Sequence, residues 1–282
     1  MSALATIIMW SSLASLTLAL NHVPALFTVG AVLLIAALPG LRYWRTWRMP
    51  LSVWVSAIVG MFGYHFLLFD AFSRAPAVEV NMIQYLWPLF IVLGSPLFGG
   101  ERLNPGHVIG GMMAFIGVVI VMTGNGVDYN DDYWFGYSEA FCAALLWAFY
   151  TLSNRRYTAM PSSAVAGICG VSGIASLMVF SLSSQVLPEL TLSDAIYVLM
   201  LGLGPMGLSF YTWDYAMRHG DPRFVGALAY LTPLLSMVLL AVVHSSVDLT
   251  SLHLVSLVLI ILGSGLGKIW ARKAIGRWEV GS

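Results

Sequence analysis

Residues Tyr85–Leu89 read YLWPL, and residues Tyr230–Leu234 read YLTPL. Each stretch sets a proline inside a long apolar run, where a continuous helix should have none. Proline lacks an N–H and clashes with the carbonyl four residues back, so it ends or kinks a helix. The carbonyls released in this way belong to Gln84 and Ala229. One breaker written twice in one setting suggests a unit that was copied.

The surroundings of both breakers set the class of protein. The 282-residue chain is 59% hydrophobic and 9% charged, against about 25% charged in a soluble domain. So few charges cannot cover a soluble surface of this size, and the chain reads as an all-α polytopic membrane protein. Lys and Arg number 13, as do Asp and Glu, so no nucleic acid or other charged macromolecule is expected as a partner. Cys142 and Cys169 lie in apolar context without metal-ligand spacing and read as free thiols. The first basic residue is Arg42, so the first apolar run reads as a retained membrane helix and not a signal peptide.

A bilayer core takes roughly 20 apolar residues in a helix. That ruler predicts ten spans, at 3–20, 24–42, 51–73, 78–98, 106–124, 133–154, 162–187, 193–217, 223–243 and 250–271. Basic residues collect in cytoplasmic loops. With the N-terminus cytoplasmic, twelve of the 13 Lys and Arg fall inside, and Arg74 alone falls outside. Both termini are therefore expected in the cytoplasm, with the plasma membrane as location.

Two further matches join the breaker in the repeat. Trp10 corresponds to Trp147, the pair Asp70 and Arg74 to Asp214 and Arg218, and Tyr85 with Pro88 to Tyr230 with Pro233, at offsets of 137, 144 and 145. This predicts one five-helix repeat over 1–127, a second over 132–273, and a cytoplasmic tail over 274–282. Five is odd, so the second copy enters the membrane inverted. Inverted repeats with interrupted helices point to a transporter whose site lies near the midplane, between the halves.

Polar side chains in apolar helices narrow the site. Asn81, Gln84, Tyr85 and Pro88 fall at i, i+3, i+4 and i+7, one helical stripe that would be costly facing lipid. Tyr211, Asp214, Tyr215 and Arg218 repeat that spacing. Asp70–Arg74 and Asp214–Arg218 are i, i+4 ion pairs, and structural, gating and proton-coupling roles stay open for them. His65, beside Tyr64, lies at mid-membrane depth and is either a helix–helix hydrogen bond or part of the site. Glu139 reads as interfacial. Trp10, Tyr64, Tyr85, Trp87, Trp147, Tyr211 and Tyr230 lie too deep for an interfacial belt, and such rings can stack a planar group or hold a cation. The Gly-rich stretches GGMMAFIG (110–117) and GSGLG (263–267) suit close helix packing or a dimer interface. No nucleotide-binding loop, metalloprotease motif or nucleophile elbow is present. No cofactor, metal or catalytic residue is expected.

Ten spans in two halves, Trp10 in the first span, and GERLNPGHVIGGMMAFIGVVIVMTG (100–124) after the fourth resemble the drug/metabolite transporter superfamily, EamA type, over essentially the whole chain. More narrowly, AVEVNMIQYLWPLF (77–90) is similar to the YddG-type exporters of aromatic amino acids. The second half departs from the pattern. HSSVDLT (244–250) stands where Gly100-Glu101 would be repeated, so any role of Glu101 is not doubled.

The resemblance implies export of amino acids from the cytoplasm by alternating access, aromatic ones included, with broad specificity and with flat organic cations as further cargo. The substrate-binding residues expected are Trp10, Tyr64, His65, Asn81, Gln84, Tyr85, Trp87, Trp147, Tyr211 and Tyr230. A zwitterion would find no full charge among them, which predicts weak, tolerant binding. Efflux of drugs or other metabolites by the same fold is the alternative, and a passive channel or membrane-embedded enzyme the second. No obligate protein partner is expected beyond the lipid bilayer.

Overall fold

In hydrocarbon every backbone polar group must be satisfied within the protein, and a helix does so locally. The computed structural model describes residues 1–99, 103–123, 131–155, 157, 160–244, 251–252, 254–263 and 266, and among them it is helical throughout, without strands. The order is α1 (Ser2–Ser11), α2 (Leu13–Ala19), α3 (Ala25–Ala37), α4 (Leu51–Arg74), α5 (Ala77–Gln84), α6 (Trp87–Gly99), α7 (Pro105–Thr123), α8 (Trp134–Arg155), α9 (Val165–Leu182), α10 (Leu192–Leu203), α11 (Ser209–His219), α12 (Pro222–Ala229), α13 (Leu231–His244) and α14 (Leu254–Gly263). Among the described residues five stretches are long and apolar enough to cross a bilayer: Ala25–Trp47, Leu51–Arg74, Glu79–Gly99, Ser162–Leu182 and Leu192–His219. The chain is a multi-pass membrane protein.

Local chemistry sets the helix starts. Pro24, Pro50 and Pro76 precede α3, α4 and α5, and Pro105 and Pro222 open α7 and α12, where the missing N–H costs nothing. Thr191 and Asp194 close a reciprocal capping box on α10. The main helix pairs are α4 on α8 and α3 on α9. Glycine permits both approaches. A Cβ on Gly60 would overlap Tyr150, and one on Gly173 would lie 2.9 Å from the Gly30 carbonyl oxygen.

Several span boundaries differ from the sequence reading. The first span is interrupted at Ser12, where the Ser11 and Ser12 hydroxyls donate to the Ile8 and Met9 carbonyls. Serine here satisfies the backbone and so lets a membrane helix break. Past α3 the second span tightens into a 3₁₀ helix, Leu38–Trp47, that opens with Pro39. The seventh ends at Leu182 and not 187, with Ser183 bonding the Phe180 carbonyl. The eighth contains a π-turn, Gly204–Leu208, between α10 and α11. The boundary between the expected repeats at 127–132 falls largely outside the described residues. So do the 274–282 tail, Glu101 and most of GSGLG.

Candidate functional site

The chain breaks where its two prolines say it should. α5 ends at Gln84 and α12 at Ala229, the residues whose carbonyls Pro88 and Pro233 leave without an i+4 amide. The second pieces start at Trp87 and Leu231. Both breaks border one cavity of about 280 Å³, near the lower end of ligand pockets, which run roughly 300–1,000 Å³. That is room for a molecule about the size of one amino acid.

Eight of the ten expected binding residues line it: Trp10, Tyr64, His65, Asn81, Gln84, Tyr85, Trp87 and Trp147. Its remaining wall includes Thr17 of α2, Leu68, Phe69 and Phe72 of the last turns of α4, Pro205 and Met206 of the π-turn, Phe210 of α11, and Thr232 and Ser236 of α13. The cavity therefore extends toward the end of the bundle that carries Asp70 and Arg74.

Much of the cavity wall is aromatic, and its rings pack on one another. The Trp10 ring lies 5.8 Å from Trp87, 6.1 Å from Trp147 and 5.0 Å from Trp213, centroid to centroid. Tyr64 lies 5.0 Å from Trp147. Trp87, Trp147 and Trp213 are buried. Trp10 Nε1 donates to Ser209 Oγ, which itself donates to the Pro205 carbonyl, so the ring is tied to the π-turn. Trp213 Nε1 donates to Thr151 Oγ1.

Polar groups share the wall with the rings. Gln84 Nε2 donates to Tyr64 Oη at 2.8 Å. His65 Nδ1 donates to the Met61 carbonyl at 2.7 Å. A carbonyl only accepts, so Nδ1 carries the hydrogen, and in the neutral ring Nε2 is left as an acceptor.

Two expected residues lie elsewhere. The Tyr211 hydroxyl donates to the Ala36 carbonyl, satisfying a group that the end of α3 would leave open. Tyr230 is fully buried in a second cluster, with Leu89 and Phe115. Depth and aromatic character alone did not separate cavity wall from helix packing. Conversely, Phe210 and Trp213 were missed in the sequence, although their i, i+3 spacing puts them on one face of α11. Nor does Tyr211–Arg218 form one buried stripe: Tyr215 is exposed and stacks on His219.

The two ion pairs differ in setting. Arg218 donates through Nε and Nη2 to both Asp214 oxygens, at 2.8 and 2.9 Å, and through Nη1 to the Tyr157 and Met160 carbonyls. Ser162 Oγ donates to the same carboxylate. Both charged side chains are buried, so α11 is stapled to the segment joining α8 and α9. Arg155, Arg218 and Trp147 also surround a space of about 10 Å³, room for about one water. The bundle is thus closed at this end. Arg74 and Asp70 pair at 2.9 Å in a half-exposed setting, with Glu139 Oε2 3.5 Å from Arg74 Nε. Glu139 therefore belongs to an ion cluster joining α8 to α4, beyond an interfacial placement.

Known proteins agree with this architecture. The EamA-like transporter family matches residues 1–123 and 134–266. An aromatic amino acid exporter, YddG, of Ancylobacter novellus is 37% identical over 279 residues, covering 95% of this chain and 96% of that protein. The YddG exporter of Escherichia coli is 26% identical, covering 86% of this chain and 87% of that one. A protein of known crystal structure superposes with a TM-score of 0.91 at 34% identity, over 97% of each chain. With its helices, its broken spans and both matched stretches in one arrangement, the chain belongs to the EamA-like transporter family.

Proposed function

We propose that this transporter exports amino acids, aromatic ones included, from the cytoplasm by alternating access and with broad specificity. The observation that carries the reading is a cavity lined by Trp10, Tyr64, Trp87 and Trp147 together with Asn81, Gln84 and His65. Rings suit an aromatic side chain, and amides and imidazole suit its polar end. The names of the relatives as aromatic amino acid exporters add support.

The reading includes ten spans in two inverted five-helix repeats, with both termini cytoplasmic in the plasma membrane. Support comes from the side on which Lys and Arg fall, from two separate family matches, and from corresponding breaks before Pro88 and Pro233. In that orientation Asp214–Arg218 holds the cytoplasmic side shut, and the cavity extends outward toward Asp70–Arg74. The conformation is then outward-open.

Proteoliposomes preloaded with unlabelled amino acids and offered labelled phenylalanine or tryptophan test this, with and without a pH gradient. Saturable uptake stimulated by preloading is expected. Absence of uptake by folded protein would overturn the reading, and uptake that never saturates would indicate a channel instead.

A further inference from the structure

The 3₁₀ helix Leu38–Trp47, between α3 and α4, lines neither cavity. Such a helix has three residues per turn, so side chains three apart stand in one row. The sequence repeats with that period. Leu38, Leu41 and Trp44 form one row, and they are 55%, 46% and 57% exposed. Arg42, Arg45 and, just past the helix, Arg48 form a second, and all three are exposed. Gly40, Tyr43 and Thr46 form the third, whose two ends meet the start of α9. A Cβ on Gly40 would overlap that of Ala166, and Thr46 Oγ1 lies 3.2 Å from Ser163 Oγ. Tyr43 departs from helical dihedrals, with φ −101° and ψ 22°, so the rows bend there. One row thus anchors the segment, and an apolar row and a basic row stay uncovered.

The place of the segment decides what meets those rows. It ends the membrane-spanning stretch Ala25–Trp47, and the next begins at Leu51. It therefore lies at the boundary between membrane and water, where a helix with an apolar and a basic face rests in the plane of the interface. Its charge is not answered within the protein. Among the described residues no carboxylate forms an ion pair with Arg42, Arg45 or Arg48. Arg42 sits 4.5 Å from the centre of the Tyr43 ring and Arg45 5.8 Å from that of Trp44. Such contacts steady a guanidinium without neutralising it.

We infer that this face binds an anionic phospholipid. The guanidinium row takes the headgroup phosphate, which suits arginine's fork of donors. Leu38, Leu41 and Trp44 lie along the acyl chains where these leave the glycerol. The occupant is a whole lipid and not free phosphate, because half of the uncovered surface is apolar. Ser163, which meets Thr46, follows Ser162, whose hydroxyl bonds the Asp214 carboxylate. A lipid held here therefore also braces the closed end of the bundle.

The test is thermal unfolding of the protein in detergent, titrated with phosphatidylglycerol or with phosphatidylcholine of the same acyl chains. Phosphatidylglycerol should raise the wild-type melting temperature and phosphatidylcholine should not, and the rise should fade with added salt. The triple variant Arg42→Gln, Arg45→Gln, Arg48→Gln should need on the order of a hundredfold more phosphatidylglycerol for the same rise, about fivefold per arginine. A second triple variant, Lys268→Gln, Arg272→Gln, Lys273→Gln, loses the same charge and should respond as the wild type does. Equal wild-type responses to the two lipids, or an unchanged response in the first variant, would overturn the inference. So would an equal loss in both variants, which would mean a diffuse effect of net charge. An equal rise with inorganic phosphate would overturn it as well, since an ion has no use for the apolar row.

Discussion

His65 and Trp87 both line the cavity, but through different chemistry. His65 spends Nδ1 on its own helix, and its ring stands edge-on to Tyr64 at 4.8 Å. His65→Ala is expected to lower transport efficiency by about tenfold, the scale of one hydrogen bond, with folding intact. Normal transport by a folded variant would remove His65 from the site. Trp87 is 4% exposed and packs on Trp10 and Trp213. Truncation of such a side chain costs about 3–5 kcal/mol, so Trp87→Ala should lose stability as well as transport. Trp87→Phe keeps a ring, and its kinetics report on the cavity alone. Breaking the buried Asp214–Arg218 pair by Asp214→Asn should also cost about 3–5 kcal/mol, because a guanidinium is left without its counterion. Asp70→Asn, in the half-exposed pair, should shift the melting temperature far less. Equal shifts in thermal unfolding would contradict the burial of one pair and the exposure of the other.

At the scale of the element, interruptions set the geometry. The breaks before Pro88 and Pro233 were legible because proline acts on its own backbone, whatever surrounds it. The π-turn at Gly204–Leu208 was not. It lies in GPMGL, and nothing local distinguishes a π-turn from an ordinary kink. It depends on glycine: a Cβ on Gly207 would overlap the Gly202 carbonyl oxygen, a backbone atom that cannot rotate away. Gly207→Ala is therefore expected to reduce folded yield sharply, whereas Gly204→Ala, with open space around the position, should have little effect on yield. Fluorescence-detected size-exclusion chromatography of the two variants would show the contrast. Because Ser209 ties the turn to Trp10, Gly207 also supports the aromatic wall from a distance.

For the whole molecule, the proposed orientation can be tested without a substrate. With Cys142 and Cys169 replaced by alanine, a cysteine at Gln185 should react with a membrane-impermeant maleimide in intact cells. One at Arg48 should react only after permeabilisation. The reverse result would invert the proposed topology, and with it the assignment of the closed end to the cytoplasm.

The sequence by itself determined the membrane class, the family likeness and the positions of both proline breaks. The class follows from composition and the breaks from the covalent chemistry of single residues, neither of which needs a neighbour, while the likeness rests on the stretches 77–90 and 100–124. Only the tertiary structure decided which deep aromatic rings share a cavity. Tyr211 and Tyr230 look like Tyr64 and Tyr85 when read along the chain. They differ in what packs against them: the Ala36 carbonyl and Phe115 on one hand, open cavity on the other. Phe210 became part of the cavity wall, and Trp213 came to back it through Trp10 and Trp87, only when α11 met α1 and α8. A ring in an apolar helix is equally stable in a helix interface or a cavity wall, so the choice lies in how the helices assemble.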